Sequence, residues 1–447
     1  MQQRLSLPLV TTVLVAALGG SLLGFDTAVI AGTTQSLTEV FQLSPARLGL
    51  TVSAALWGTV AGAMGSGIFG RRYGGRAGLR LLAGCYLLSA LGCAFTSSWA
   101  WLIAFRLIGG LGMGGSSVLA PVYIAEIAPA RWRGRLVGAF QINIIGGILL
   151  AYLSNYLLGE WSLGPSEWRW QLGVAALPAG VFLVALLGIP ASPRWLVSQG
   201  SLAEARAVMR RLGSADPEDE LTGMVRSLDS TTASSARLFT WRYRRPIILA
   251  LLLAMFNQLI GINAVLYYLN DIFAMAGFDR TSQHSQAVLV GVVMLVATLA
   301  AIGLIDRFGR RRLLLTGSVG MAACLGAIAW IFWTQHNEHL LLPLVMGYVA
   351  CFAFSQGSVI WVYLSEIFPD RVRAQGQSLG SSTHWVMDAL VSFVFPILAS
   401  MSHVIPFAVF CTMVIVQFFV VLLFFPETSG AKLEQIQRLL VGGESGV

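Results

Sequence analysis

Twelve long apolar stretches constrain the fold of this chain more than any other feature of its sequence. Each is about 20 residues long, the length a helix needs to cross the hydrocarbon core of a bilayer. The stretches lie near residues 9–31, 49–69, 79–97, 101–125, 136–158, 171–190, 246–268, 286–305, 313–333, 341–364, 376–400 and 404–425. Because a backbone in lipid must satisfy its own hydrogen bonds, they predict an all-α membrane protein with twelve transmembrane helices.

The composition excludes several other classes of protein. Of the 447 residues, 56% are hydrophobic and only 11% are charged, whereas soluble domains carry about a quarter charged residues. A cytosolic enzyme, a disordered protein and a disulfide-stapled secreted scaffold are therefore excluded. The five cysteines lie in apolar runs without metal-like spacing, so we interpret them as packing residues and expect no metal and no cofactor.

The distribution of basic residues predicts the orientation of the helices. Lys and Arg accumulate on the cytoplasmic side of membrane proteins. With both termini inside, cytoplasmic segments hold 25 of the 29 basic residues, and the exceptions are Arg47, Arg106, Arg169 and Arg280. The net charge of +8 then reflects topology rather than nucleic-acid binding. We expect a multi-pass protein of the plasma (inner) membrane, with both termini cytoplasmic, that functions as a monomer.

One segment, residues 191–245, has the composition of a water-soluble insert. Ser201 is placed to cap a helix, and Gly213 to Pro217 is a break. We therefore predict a cytoplasmic helical linker between two six-helix bundles, 1–190 and 246–447, the second ending in a short cytoplasmic tail. Whether the linker is more than a tether stays open.

The two halves repeat each other at three loops. The run GIFGRRYGGR matches GLIDRFGRRR, EIAPARWRGR matches EIFPDRVRAQ, and IPASPR matches FPETSG. The matched residues are Arg71 with Asp306, Glu126 with Glu366, and Pro190 with Pro426, at offsets of 235, 240 and 236. This near-constant offset indicates a duplicated six-helix unit, and duplicated halves place a substrate site between them near the membrane midplane.

The matched loops also suggest a gate. Glu126 and Glu366 each precede a proline and then arginines. Carboxylate–guanidinium pairs there would hold the halves together when the site faces outward, and several must act as a network because exposed pairs are individually weak. The candidate gate residues are Glu126, Arg133, Arg194, Asp306, Arg310, Glu366, Arg373 and Glu427. The alternative is that these charges serve topology and solvation only.

The chain resembles the sugar porter family of the major facilitator superfamily, and within it the bacterial proton-linked xylose and hexose symporters. The matching runs are GFDTAVIAGT, RLIGG, PVYIAEIAP, RGRLVGAFQ, SPRWL, FNQLIGINAVLYY, DRFGRRRLL, WVYLSEIFP and FPETSG, in family order along the whole chain. The resemblance implies twelve helices in two pseudo-symmetric bundles with a cytoplasmic helical domain between them.

Three charged residues lie deepest in the predicted spans, namely Asp26, Arg106 and Asp388. A charge at the membrane centre costs about 3 kcal/mol on insertion scales and usually has a functional reason. Asp26 and Arg106 are placed to pair, and the resemblance implies that an acid at position 26 marks proton-coupled members. An Asp that alternates between Arg106 and a proton would couple proton uptake to conformational change. The alternative is a purely structural pair.

The resemblance also implies a sugar site of amide and aromatic side chains, which suit hydroxyl-rich ligands. The matching positions are Gln141, Asn257, Gln258, Asn263, Tyr267, Trp361, His384 and Trp385. Asn257 is one methylene shorter than the glutamine usual in the family, and His384 stands where the family often has Gln or Asn. Asp388 stands where the family usually has Asn. It is either a second proton-sensitive group or a hydrogen-bonded helix contact, and we favour the contact.

These observations predict proton-coupled symport of a monosaccharide such as glucose, xylose, galactose or fructose by alternating access. The partners are the sugar, the proton and the lipid bilayer, and no catalytic residue is expected. One alternative is an uncoupled sugar carrier. Another is a non-transporting sensor, which is disfavoured because the chain ends 21 residues after Pro426. A membrane-embedded enzyme is disfavoured because neither HExxH nor GxSxG occurs.

Overall fold

The computed structural model describes residues 5–129, 131–161, 163–214, 216–231, 238–369 and 372–428, except for the side chains of 227–231 and 302–307. The described secondary structure is helical. The helices before residue 240 are α1 (Leu7–Val29), α2 (Thr34–Phe41), α3 (Pro45–Tyr73), α4 (Gly75–Phe95), α5 (Trp99–Ile127), α6 (Arg133–Glu160), α7 (Glu167–Gly173), α8 (Ala176–Gly188), α9 (Pro193–Ser198), α10 (Leu202–Leu212) and α11 (Pro217–Thr231). Those after it are α12 (Arg244–Leu259), α13 (Ile262–Tyr267), α14 (Leu269–Met275), α15 (Arg280–Phe308), α16 (Arg310–Thr334), α17 (Leu341–Phe354), α18 (Gln356–Glu366), α19 (Arg373–Met401) and α20 (Val404–Phe424).

Twelve helical segments of the described chain are long and apolar enough to cross a membrane. Each overlaps one of the twelve apolar stretches in the sequence, so the prediction of an all-α membrane protein is confirmed. Several spans are broken rather than continuous. The sixth comprises α7 and α8, the seventh α12 and α13, and the tenth α17 and α18.

Contacts divide the chain into two compact units. The first comprises Met1–Val29, Ala54–Ser154 and Leu163–Ser235, and the second comprises Ile30–Ser53, Asn155–Ser162 and Ala236–Val447. The same internal packing recurs in both. In the first unit α4 packs against α5 and α8, and in the second α16 packs against α17 and α20.

Small residues bring the helices of the first unit into close contact. Gly24 on α1 lies against the backbone carbonyl of Ile144 on α6, and Gly110 on α5 lies against that of Ala55 on α3. A side chain at either glycine would collide with the facing backbone. Lipid supplies no hydrophobic force between helices, so such close approach supplies much of their attraction.

The seventh span breaks at Gly261, between α12 and α13. Gly261 has a φ of 87°, a left-handed conformation that residues with a Cβ rarely adopt. The ring of Phe410 fills the space that a Cβ at this position would need. The break separates Gln258 at the end of α12 from Asn263 near the start of α13, which lets both side chains reach the same polar cluster.

Three short helices, α9, α10 and α11, follow the first six spans in the segment predicted as the linker. Gly213 ends α10 in a left-handed conformation with a φ of 84°, which agrees with the predicted break. Ser201 stands at the N-cap of α10 but its side chain makes no capping bond. Ser192 makes such a bond instead, accepting from the backbone N–H of Trp195 at the start of α9. The bundle boundaries at residues 190 and 246 stay predictions.

Candidate functional site

Asp26 on α1 and Arg106 on α5 form an ion pair within the first unit. The Nη1 atom of Arg106 lies 2.9 Å from Oδ1 of Asp26, with side-chain exposures of 4% and 14%. Among the described residues, neither Oδ2 of Asp26 nor Nε of Arg106 has a hydrogen-bond partner. A buried charge needs a partner of opposite sign, and this pair supplies it through a single oxygen.

A small cavity adjoins the pair. It is lined by Leu22, Phe25, Asp26, Tyr86, Ser89, Ala90, Cys93, Arg106, Leu172 and Ala175. Tyr86 is bonded elsewhere, because its hydroxyl lies 3.0 Å from that of Ser116. Tyr86 therefore does not supply a hydrogen bond to Oδ2 of Asp26, which has no partner among the described residues.

A cluster of amides and one histidine forms in the second unit, where α12, α13 and α19 meet. The Nε2 atom of Gln258 lies 3.0 Å from Nε2 of His384 and 3.5 Å from Oδ1 of Asn257. The Oε1 atom of Gln258 accepts a bond of 3.2 Å from Nδ2 of Asn263. Four residues that the family resemblance selected from the sequence are thus connected by hydrogen bonds.

Asp388 on α19 joins this cluster from a fully buried position. Its Oδ2 atom accepts from Nδ2 of Asn263 at 2.8 Å and from the hydroxyl of Tyr267 at 3.1 Å. Its Oδ1 atom accepts from the hydroxyl of Ser392 at 3.2 Å. Asp388 therefore links α13 to α19 by hydrogen bonds.

Two tryptophans flank the histidine of the cluster. The ring of Trp361 on α18 lies 5.2 Å from that of His384, and the ring of Trp385 lies 5.1 Å from it at nearly a right angle. Trp361 is 37% exposed while Trp385 is 8% exposed. A partly open indole face beside amide groups can stack on the apolar face of a sugar ring. Gln141, the remaining predicted sugar ligand, lies on α6 in the first unit and is partly buried.

Three predicted gate residues of the second unit, Arg310, Glu366 and Glu427, lie together at the arginine-rich helix ends. Nη2 of Arg310 lies 3.0 Å from Oε1 of Glu366. The two carboxylate oxygens of Glu427 accept from the backbone N–H groups of Arg310 and Arg311, at 2.9 and 3.1 Å. Glu427 thus caps α16, where a negative charge is also favoured by the helix dipole. Arg373 donates to the carbonyl of Phe368.

The first unit holds a corresponding group. The carboxylate of Glu126 faces the hydroxyl of Ser192 and the guanidinium of Arg194. Arg133 donates through Nε to the carbonyl of Ala125, at 3.0 Å. The predicted gate residue Asp306 belongs to α15, but its side chain lies outside the described residues.

Two tyrosines near these groups were missed by the sequence analysis. The hydroxyl of Tyr123 donates to the carbonyl of Pro190 at 2.7 Å, and that of Tyr363 donates to the carbonyl of Pro426 at 3.2 Å. The contact is the same in both units. A signal existed, because each tyrosine stands three residues before the repeated glutamate, Glu126 or Glu366.

The family of the chain follows from a comparison of its sequence with protein-family models. The model described as "Sugar (and other) transporter" matches residues 12–440. The chain belongs to this family. It is accordingly a membrane transporter rather than an enzyme, and the family resemblance carried by the sequence motifs is confirmed.

Individual members of the family show comparable similarity. The chain is 34% identical to the D-xylose-proton symporter of Escherichia coli K12, over 95% of this chain and 94% of that protein. It is also 34% identical to the glucose facilitated diffusion protein of Zymomonas mobilis, over 95% and 96%. The solved structure of the E. coli xylose transporter in a partially occluded inward-open conformation matches with a TM-score of 0.85 and 33% identity, covering 96% of this chain and 100% of that one.

Proposed function

We propose that this transporter is a proton-coupled symporter of a monosaccharide and works by alternating access. The observation that carries this proposal is the buried pair of Asp26 and Arg106, whose atoms Oδ1 and Nη1 lie 2.9 Å apart. A facilitator needs no carboxylate in its membrane spans, whereas a symporter needs a group that binds and releases a proton during each cycle.

The pair supports a simple coupling cycle. With Asp26 ionised, the attraction to Arg106 holds α1 against α5. A proton on Oδ2, which has no other partner among the described residues, removes that attraction and lets the helices shift. Moving one proton down a membrane potential of 100 mV releases about 2.3 kcal/mol. At 1.4 kcal/mol per tenfold gradient, this supports roughly 40-fold accumulation of sugar.

The sugar would bind to the amide–histidine cluster of the second unit, flanked by Trp361. Gln141 stays a proposed sugar ligand on the family resemblance alone. These side chains offer hydrogen-bond donors, acceptors and an aromatic face, which together suit a ring bearing several hydroxyl groups. We assign both termini to the cytoplasm, because the arginine-rich loops then lie inside. The bundles would be 1–190 and 246–447, with the linker 191–245 between them. We further propose a plasma-membrane monomer that does not bind nucleic acid.

The second candidate is an uncoupled carrier, because a facilitated diffusion protein is as similar in sequence as a symporter. Uptake by proteoliposomes separates the two. Labelled xylose, glucose, galactose and fructose are offered with and without an inward proton gradient, and with a protonophore as control. We expect at least one sugar to accumulate above its outside concentration only with the gradient. Uptake that ignores the gradient would contradict symport, and absence of uptake for all four sugars would contradict monosaccharide transport.

A further inference from the structure

Asp388 is a buried carboxylate that the proposed cycle of Asp26 and Arg106 leaves unused. It is 0% exposed and lies midway along α19, inside the span Arg373–Met401. In the described part of the chain, no arginine or lysine lies within ion-pair distance of it, unlike Asp26. Its hydrogen bonds come from three neutral groups, the side chains of Asn263, Tyr267 and Ser392.

An ionised carboxylate can only accept hydrogen bonds, and this fixes the orientation of Asn263. The amide of Asn263 must turn its Nδ2 towards Oδ2 of Asp388, 2.8 Å away. Its second amide hydrogen points to Oε1 of Gln258, at 3.2 Å. Both hydrogens are therefore used within the protein, and the side chain offers a ligand only its oxygen.

The hydrogen bonds of the rest of the cluster run in the same donor-to-acceptor direction. Because Oε1 of Gln258 accepts from Asn263, its Nε2 is the atom that faces His384, at 3.0 Å. A ring nitrogen of His384 then accepts, and its other ring nitrogen carries the hydrogen. The ionised Asp388 thus orients the polar groups from Asn263 to His384 in one sense.

A proton on Asp388 would reverse this order. The carboxylic acid then carries an O–H donor, so Asn263 can turn its carbonyl oxygen towards Asp388 and release its amide hydrogens. The hydroxyl of Tyr267 is released in the same way. Two donors that the carboxylate had occupied become available to the hydroxyl oxygens of a sugar.

We propose that Asp388 is a second proton-binding group, located in the sugar site, and that its protonation strengthens sugar binding. This rests on the proposed function, because it concerns the same site. It differs from the role of Asp26, since Asp388 acts on the donors and acceptors that meet the sugar and not on an ion pair.

The other titratable groups around α19 are accounted for by their own contacts. In the cluster they are Tyr267 and His384, and beside it the hydroxyl of Tyr268 donates to the carbonyl of Ser392. On the neighbouring helices, Tyr363 bonds to Pro426, Glu366 pairs with Arg310, and Cys411 donates to the carbonyl of Ala322. Arg244 and Arg245 lie at the start of α12, and Gln258 lies near its end.

The test is a series of equilibrium binding measurements on the purified full-length protein in detergent, with D-glucose and D-xylose as probes, from pH 5.5 to 8.5. No membrane gradient exists there, so the Kd reports the site alone. We expect wild type to bind roughly 3- to 10-fold more tightly at the acidic end, the change for one or two hydrogen bonds. Asp388→Asn, which cannot ionise, should give a Kd independent of pH and close to the acidic wild-type value.

Three further variants separate the sources of pH dependence. Asp26→Asn and His384→Gln, which leave Asp388 in place, should both retain a Kd that depends on pH. Asp279→Asn, which removes an exposed carboxylate at the start of α15, should match wild type throughout.

The other outcomes would overturn either the role of Asp388 or the proposed function. If Asp388→Asn retains the wild-type pH profile, or Asp26→Asn or His384→Gln abolishes it, Asp388 is not the group responsible. If wild type binds sugar with a Kd that does not change with pH, the inference fails while the proposed function stands. If wild type binds neither these sugars nor those of the uptake assay, the proposed function fails and the inference with it.

Discussion

Arg106 contacts Asp26 through one oxygen only, with Nη1 of the guanidinium 2.9 Å from Oδ1 of the carboxylate. A guanidinium can form a two-pronged pair with a carboxylate, which is the stronger geometry. The single contact seen here is easier to break, and it leaves Oδ2 of Asp26 without a hydrogen-bond partner among the described residues. In the proposed coupling cycle, Oδ2 is the atom that binds the proton.

Replacing Asp26 with Asn should therefore abolish gradient-driven accumulation while sugar exchange continues. Asn keeps the size of the side chain and a hydrogen-bond acceptor for Arg106, but it cannot cycle a proton. The measurement compares accumulation with counterflow exchange in proteoliposomes. As a control, Asp279→Asn removes an exposed carboxylate and should accumulate sugar like wild type. Unchanged accumulation by Asp26→Asn would remove Asp26 from the coupling mechanism.

Gln258→Ala should raise the Kd for sugar by about 10-fold or more. The truncation removes the amide that connects Asn263 to His384, and it leaves buried groups unsatisfied at a cost of about 1–3 kcal/mol. Gln417→Ala is a matched control, because Gln417 is an equally buried glutamine on α20. Binding is measured by titration and folded protein by its melting temperature. Equal Kd changes in both variants would argue against a direct role for Gln258.

Tyr123→Phe and Tyr363→Phe should each destabilise the protein by about 1 kcal/mol. Each change removes one hydroxyl and leaves a proline carbonyl without its donor. Because the two contacts lie in different units, the double variant should lose about the sum of the two effects. Melting temperatures in detergent measure this, with Tyr73→Phe at an exposed position as control. A double variant no less stable than either single one would show that the contacts are not independent.

Asp271 should make the folded protein less stable as the pH rises from about 4 to about 7. Burial raises the pKa of its carboxyl to about 7, although hydrogen bonds from Thr34 and Gln35 act in the opposite direction. In the unfolded chain the value is about 3.9. Between these values the folded state holds the additional proton, so the free energy of unfolding falls as the pH increases.

Asp271→Asn removes this titration, so it should melt at a higher temperature than wild type at pH 8 and close to it at pH 4. Asp279 is a control of opposite sign, because hydrogen bonds from Ser282 lower the pKa of its exposed carboxyl. Its contribution is present at neutral pH and is lost only in acid, so Asp279→Asn should gain nothing at pH 8. A melting temperature of Asp271→Asn that follows the wild-type pH profile would exclude the effect.

The transmembrane helices were predictable because lipid permits few backbone conformations, so apolar length alone identifies a span. Their internal breaks were not. The tenth span divides at Ser355, where φ is −113° and ψ is −87°, yet residues 341–364 form one apolar stretch. Serine is compatible with a continuous helix, and only the surrounding packing selects the break.

The candidate site was predictable to a different extent. Family motifs selected Gln258, Asn263 and His384, which hydrogen bonds now connect. The partners of Asp388 could not be deduced, because they depend on which face of α19 meets α13. Which face of α19 meets α13 is determined by tertiary packing. The repeat places Tyr123 and Tyr363 at matching positions, three residues before Glu126 and Glu366. That match alone did not predict the contact of Tyr123 with Pro190, because tyrosines near helix ends commonly serve as interfacial anchors.

The break at Gly261 bears on how sugar preference can evolve in this transporter. Any side chain at that position would meet both an unfavourable backbone conformation and the ring of Phe410. Substitutions at Gly261 therefore cannot alter the backbone between Gln258 and Asn263 in small steps. New specificities must come from replacing the side chains that surround it. The departures from the family pattern at Asn257, His384 and Asp388 all lie around this fixed backbone, so in the proposed sugar site they change side chains without moving the main chain.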